Sequence, residues 1–247
     1  MNVSAIIVTR GNVDLSEILA SLPVEWERVV WDNTGTCEVY DGPNRMVSRV
    51  ALDVPDLAVF GRYAAIEHSS GDLIYVQDDD CVVEDPQAIV EWWQRASVAT
   101  MGAFVQDDRD FLVANMPPQF RHDFYADHSL VGFGACFHRD LPGRAFTRFA
   151  LSSHANGALA WGTDGLTTDL FDRTCDVVFT ALTPRVLVDV PYRDLPWASD
   201  PDRMWKQPEH VGERARMLEL ALRVREAPGP HGEKPLAPPR NPSNLSP

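Results

Sequence analysis

The chain has 247 residues, 45% of them hydrophobic, enough to bury one substantial core in a single domain with a small extension. Its formal net charge of −14 excludes a broad basic face for nucleic acid or anionic lipid, though not a local basic pocket. The amino terminus has neither a basic stretch nor a long apolar one, and no later run approaches a membrane span, so a cytoplasmic protein of a bacterium or a virus-infected cell is expected.

Val3 to Val8 reads as a first buried strand, with Thr9-Arg10-Gly11-Asn12 as the loop at its carboxyl end. Asp14 and Glu17 have the spacing of a capping box for a helix whose apolar face is Leu15, Ile18, Leu19 and Leu22, and Pro23 stops it. Glu27 to Trp31 is a second strand, leaving through Asp32-Asn33-Thr34-Gly35, which is turn chemistry. Ser48 to Leu52 reads as a further strand and Val59 to His68 as a short helix carrying Arg62 and Tyr63.

Leu73 to Val76 is aliphatic and aromatic without alternation, the pattern of a strand buried in a parallel sheet. It runs straight into Asp78-Asp79-Asp80, three carboxylates that repel one another unless a cation, hydrogen-bond donors or water compensate them. Strand ends are where open α/β sheets put ligands, and alternation there sends Asp78 and Asp80 to one side and Asp79 to the other. A bound divalent ion accounts for the triplet; a solvated loop is the alternative.

Asp85-Pro86 opens a helix through Ile89, Val90 and Trp93. Ala99 to Val105 and Phe111 to Ala114 read as strands of a hairpin, and the two glycines in Leu130 to Phe137 suggest a bulge or a close backbone approach to a ligand. Arg144 to Ser152 and Leu166 to Thr174 are expected helices, Asp176 to Ala181 and Val186 to Val190 the last strands, and Asp194 to Pro208 an irregular loop before a helix over His210 to Glu226. Residues 1–226 thus form the folded domain. Residues 227–247 hold seven of the 19 prolines and read as a disordered tail. Cys37, Cys81, Cys136 and Cys175 are too widely spaced for a zinc knuckle or a redox pair and are expected reduced and mostly buried.

Four segments, Ile6-Ile7-Val8-Thr9-Arg10-Gly11, Val29-Val30-Trp31-Asp32-Asn33, Gly61-Arg62-Tyr63-Ala64-Ala65 and Ile74-Tyr75-Val76-Gln77-Asp78-Asp79-Asp80, resemble in order the motifs of GT-A glycosyltransferases with a D-x-D motif. The resemblance covers about residues 3 to 220 and implies a Rossmann-like α/β domain, a mixed, mostly parallel sheet flanked by helices. It implies transfer of a sugar from a UDP- or GDP-type donor to a hydroxyl acceptor, with inversion. Asp80 would ligate a Mn²⁺ or Mg²⁺ ion bridging the donor's diphosphate, Asp78 would face the ribose or a metal-bound water, Asp79 would be among the donor-binding residues, Thr9, Arg10 and Asp32 would line the base and ribose pocket, and Arg62 would approach the nucleotide.

The stretch Asp202 to His210 resembles the carboxyl-terminal loop of these enzymes, which makes His210 a second metal ligand and Arg203 and Lys206 diphosphate partners. Asp164, at an expected helix start, stands where inverting members carry the general base; Thr163 replaces the acid that precedes it there. Taken singly, Thr9 and Asp32 are equally turn caps, Arg62 a surface ion-pair partner, His210 a solvated helix residue and Asp164 a cap. The acceptor class stays open among a glycan, a protein side chain and a modified nucleic-acid base. Two competing readings use the same residues: Asp78-Asp79-Asp80-Cys81-Val82 also fits the nucleophile motif of haloacid-dehalogenase-type phosphatases, although strands precede it here, and an idle nucleotide-sugar binder would keep the fold without the chemistry.

Overall fold

All seven residues of β1 (Val3–Thr9) are buried, as its unbroken apolar run predicts. The computed structural model describes residues 1–35, 44–100, 102–107, 128–155, 166–204 and 207–227. After α1 (Ser16–Ser21), β2 (Glu27–Asp32) lies parallel to β1 with Thr9 beside Asp32, and β3 (Asn44–Ser48) lies parallel outside β2. A helical segment returns to the sheet, with α2 (Gly61–Ala64) between 3-10 turns at Ala58–Phe60 and Ala65–His68. β4 (Leu73–Asp78) then joins the other side of β1, placing Val8 beside Asp78. The chain's direction across the sheet reverses between β1 and β4, which opens a crevice at their carboxyl ends.

β5 (Cys81–Val83) leaves the main sheet, and α3 (Pro86–Thr100), β6 (Ala103–Gln106), β7 (Ala135–His138), α4 (Leu141–Ala155) and α5 (Thr168–Leu182) follow. β8 (Arg185–Val188), β9 (Tyr192–Asp194), a 3-10 turn at Pro196–Ser199 and α6 (Pro208–Glu226) complete the described chain. The seven-stranded sheet runs β3-β2-β1-β4-β7-β6-β8 with β7 alone antiparallel to its neighbours, the mixed, mostly parallel sheet that was expected; β5 and β9 pair separately. Alternation along the strands feeds two cores. Ile6, Trp31, Ile74 and Phe137 face α4, α5 and α6, while Ala5, Ile7, Val30 and Tyr75 face α1 and α3. Each fully buried side chain of this size contributes about 1.5–3 kcal/mol.

Several elements depart from the sequence reading. Asp176 to Ala181 is the second half of α5, not a strand. The helix is buried from Thr174 to Leu182, and the strand preference of the β-branched pair Val177-Val178 is overridden by packing. Its start is fixed by Thr167, whose Oγ1 accepts from Leu170 N at 3.1 Å. The capping box at α1 does not form, because Asp14 accepts from Ser16 N two residues on and Glu17 pairs with Arg193. β3 lies at 44–48, and Val50 and Leu52, expected in a strand, are exposed in turns. Ala99 and Thr100 end α3, while Phe111 to Ala114 lies outside the described residues.

The Asp85 cap is realised, with Ala88 N donating to Asp85 Oδ1 at 3.1 Å. Cys81, Cys136 and Cys175 are buried and reduced. Among the described residues no helix is long and apolar enough to cross a membrane. The proline-rich tail from residue 228 lies outside the described residues.

Gly61 carries a testable constraint, because it presses α2 against the buried Trp31. Alanine is normally better than glycine inside a helix by about 1 kcal/mol. Here an added Cβ would stand 2.5 Å from both Trp31 Cδ1 and Nε1, and Trp31 is only 2% exposed. Gly61→Ala should therefore lower stability, by about 1–3 kcal/mol, as a drop in the denaturant midpoint with an unchanged slope. An equal or higher midpoint would show that Trp31 has room to move.

Candidate functional site at the end of β1 and β4

The three carboxylates are held by different partners. Arg62, 2% exposed on α2, donates through Nη2 to Asp78 Oδ1 at 2.6 Å. Asp79 accepts from Thr9 Oγ1 at 2.9 Å, from Arg10 N at 3.3 Å and from Arg203 Nη1 at 2.6 Å. Asp80 has its Oδ2 3.6 Å from Arg203 Nη1, an ion pair beyond hydrogen-bonding distance. The strand ends at Asp78, and the turn that follows sends Asp79 and Asp80 to the same guanidinium, so the expected alternation of sides stops there.

Two backbone features make room for the triplet. Asp78 N donates to Gly132 O at 2.8 Å, and a Cβ on Gly132 would fall 2.0 Å from Asp78 Oδ2, so only glycine fits; this is the close approach the glycine pattern suggests, made to a carboxylate. From the other side, residues 195–204 strap across the turn. Leu195 N donates to Asp80 O at 2.8 Å, Trp197 Nε1 donates to Asp79 O at 2.6 Å, and Arg10 pairs with Asp200 at 2.5 Å.

A cavity of about 360 Å³ opens beside these groups. It is lined by six carboxylates, Asp56, Asp78, Asp79, Asp80, Asp176 and Asp202, against four guanidiniums, Arg10, Arg62, Arg203 and Arg214, a surplus of negative charge. Burial, and next the Asp78 carboxylate, push Asp80 up to about 7 against the pull of Arg203. Burial raises Asp78 too, with Arg62 opposing. At the same time Arg10 Nε, Arg62 Nε and Arg203 Nη2 are buried without a hydrogen-bond partner. The residues that line the cavity therefore include an under-compensated carboxylate and three guanidiniums that each keep a buried N–H without an acceptor.

His210 lines the same cavity from the first turn of α6. It is 4% exposed, its Nδ1 has no hydrogen-bond partner, and Glu213 Oε2 lies 3.5 Å away. Burial, and then the Arg214 charge, push it down to about 3, so the ring is neutral at pH 7 and has a lone pair for a ligand. Among the described residues no three His, Cys, Asp or Glu side chains converge as a ready cage. That donor set does not suit a structural zinc. One carboxylate and one neutral imidazole do fit Mg²⁺ or Mn²⁺, which take most of their octahedron from phosphate oxygens and water.

Of the residues expected from the sequence, Thr9, Arg10, Arg62, Asp78, Asp79, Asp80, Arg203 and His210 all line this cavity. Asp32 does not. It is 1% exposed and accepts from Thr34 N at 2.8 Å and Thr34 Oγ1 at 2.9 Å, leaving Asn33 and Thr34 to form that wall. Ala58, opposite, has a φ of 45°, held by Asp56 Oδ1 accepting from its N–H and by Asn33 Nδ2 donating to its carbonyl. An alanine strained in this way at a cavity wall is what functional sites accumulate. Lys206 and Asp164 lie outside the described residues.

The sequence reading missed Asp176 and Arg214, which form a buried ion pair at 3.1 Å under the cavity, together with His128. The available signal was a charged residue on the apolar stripe of each helix. Burial works against the charge of Asp176, but Arg214 holds its carboxyl at about 2.

No protein-family model and no curated protein matches the sequence. Among solved structures, the 1–349 form of S. aureus TarS in complex with UDP-GlcNAc matches at a TM-score of 0.49 and 13% identity, over 90% of this chain and 66% of that one. A longer TarS chain matches at 0.44 and 12%, over 76% of this chain, which spans 35% of it. Glucosyl-3-phosphoglycerate synthase from Mycobacterium tuberculosis, in complex with Mn²⁺, UDP-glucose and phosphoglyceric acid, matches at 0.45 and 14%, over 90% and 78%. The 2-C-methyl-D-erythritol 4-phosphate cytidylyltransferase of Thermus thermophilus matches at 0.46 and 17%, over 89% and 100%.

The raised pKa of Asp80 has a measurable sign. A carboxyl that binds its proton more tightly when folded, at about 7 against 3.8, loses stability for the fold as pH rises between those values. In metal-free protein, Asp80→Asn should match the parent's thermal midpoint near pH 4 and exceed it above pH 7. A variant midpoint at or below the parent's at every pH would show that Asp80 is not strained by its neighbours.

Proposed function

We propose that the protein is a divalent-metal-dependent glycosyltransferase that moves a sugar from a nucleoside-diphosphate donor to a hydroxyl acceptor with inversion. One juxtaposition supports the reading: a buried carboxylate short of positive charge, Asp80, shares a cavity with arginine N–H groups short of acceptors. A cation alone would satisfy the first and an anion alone the second; a metal-bound diphosphate satisfies both.

In this reading Asp80 and His210 hold Mn²⁺ or Mg²⁺, which when bound supplies charge neutralisation of the departing diphosphate. Arg203, Arg62, Arg10 and Lys206 neutralise phosphate; Asp79 keeps the Arg203 guanidinium oriented, Asp78 that of Arg62 and Asp200 that of Arg10. Thr9, with Asn33 and Thr34 beyond Asp32, lines the base and ribose end. Asp164 takes the proton of the acceptor hydroxyl. Against the phosphatase reading stands the place of the acids, which follow β4 rather than the first strand of the sheet.

The test is release of nucleoside diphosphate from a panel of UDP- and GDP-sugars, with Mn²⁺ and with chelator, including slow hydrolysis without acceptor. One donor should be turned over only with metal, and Asp164→Asn should retain donor binding while transfer falls about 100-fold or more. No turnover of any donor, alongside hydrolysis of a phosphate monoester, would replace the glycosyltransferase reading with the phosphatase one. A product that keeps the donor's anomeric configuration would overturn inversion and the role of Asp164.

A further inference from the structure

Helices α5 and α6 meet through two ion pairs that lie side by side and point opposite ways. Arg173 of α5 donates to Glu213 of α6 at 2.5 Å, and Arg214 of α6 grips Asp176 of α5 with both terminal nitrogens, at 3.1 and 3.2 Å. Further along α6, Met217, Leu218 and Ala221 join Val177 and Val178 in the apolar core. A buried ion pair is seldom a better stabiliser than apolar side chains of the same volume, and its best-attested use is to fix register. Apolar helix faces can slip or rotate past one another; a two-point grip on a carboxylate cannot.

Arg214 has a third contact. It donates to His128 Nε2, and because a guanidinium cannot accept, His128 must carry its proton on Nδ1. That proton goes to Thr180 Oγ1 at 2.8 Å, and the Thr180 hydroxyl donates to the Asp176 carbonyl at 2.8 Å, so the buried group closes on itself. His128 also lies four residues before Gly132, the residue that backs Asp78. Arg214 thus ties the acid-triplet side of the cavity to α6. One turn before it, on the same helix face, stands His210. The helix start that carries His210 has no side-chain cap from Gln207.

We infer that Arg214 is a positioning residue: held by Asp176 and His128, it sets the rotation and register of the first turn of α6 and so aims His210 into the cavity. The use made of that aim, completing a metal–nucleotide site, rests on the function proposed above.

The test replaces the grip by apolar side chains, Asp176→Leu with Arg214→Met, in the full chain, with Arg214→Lys as a second variant that keeps one charge contact. The double variant should keep or raise the thermal midpoint, as apolar replacements of buried pairs do. In ligand-free protein, His210, which is 4% exposed, should become at least about 10-fold more reactive to diethyl pyrocarbonate, read by peptide mass spectrometry, with Arg214→Lys in between. Affinity for UDP with Mn²⁺ should fall about 10-fold or more, and by more than affinity for UDP without metal. A His210 as protected in both variants as in the parent overturns the inference. If the double variant does not fold, Arg214→Lys alone decides by the same reactivity. Failure of the parent to bind UDP with Mn²⁺ contradicts the proposed function instead, and the reactivity comparison still decides the positioning role.

Discussion

Three carboxylates in a row at the end of a buried strand cannot all stay ionised away from water without counter-charge. Here the counter-charge is unevenly shared. Asp79 is fully engaged, Asp78 has one guanidinium, and Asp80 stands 3.6 Å from a nitrogen already committed to Asp79. Most of the surrounding structure follows from that imbalance. Gly132 has no side chain because Asp78 fills its space, and Arg62 is drawn to 2% exposure because Asp78 is its partner. The strap from Leu195 to Arg203 lies where it does because the turn carbonyls and Asp79 accept from it.

The sheet supplies the place for this arrangement. With β2 on one side of β1 and β4 on the other, Thr9 and Asp78 end adjacent strands at the point where the connections diverge, and the crevice opens there. The helices on the α5–α6 side close the cavity from below. They do so with two ion pairs and a neutral histidine beside an apolar contact, which trades little stability for a defined register.

How much of this was visible in the sequence depended on how local the cause was. β1, β2 and β4 announce themselves because buried parallel strands are continuous apolar runs, and the acid triplet marks its own strand end. The second half of α5 was misread because its apolar residues crowd around the β-branched pair Val177-Val178, which taken alone looks like a strand. β3 was placed several residues late, since Val50 and Leu52 are apolar yet exposed in turns. Arg203 and His210 were legible through their place in a motif-like loop. Asp176 and Arg214 were not, because their pairing spans 38 residues and a single charge on an apolar stripe does not name its partner. Asp32 was legible as turn chemistry, and turn chemistry is where its carboxylate is engaged.

The central claim is that the triplet's missing positive charge is a divalent ion that arrives with a diphosphate. Anomalous scattering from crystals grown with Mn²⁺ and UDP tests it most directly. A manganese peak within bonding distance of an Asp80 oxygen and of the diphosphate, with an imidazole nitrogen of His210 completing the shell, is the predicted result. A nucleotide bound in this cavity with no peak beside Asp80, or with Arg203 still bridging Asp79 and Asp80 in the metal's place, would contradict it.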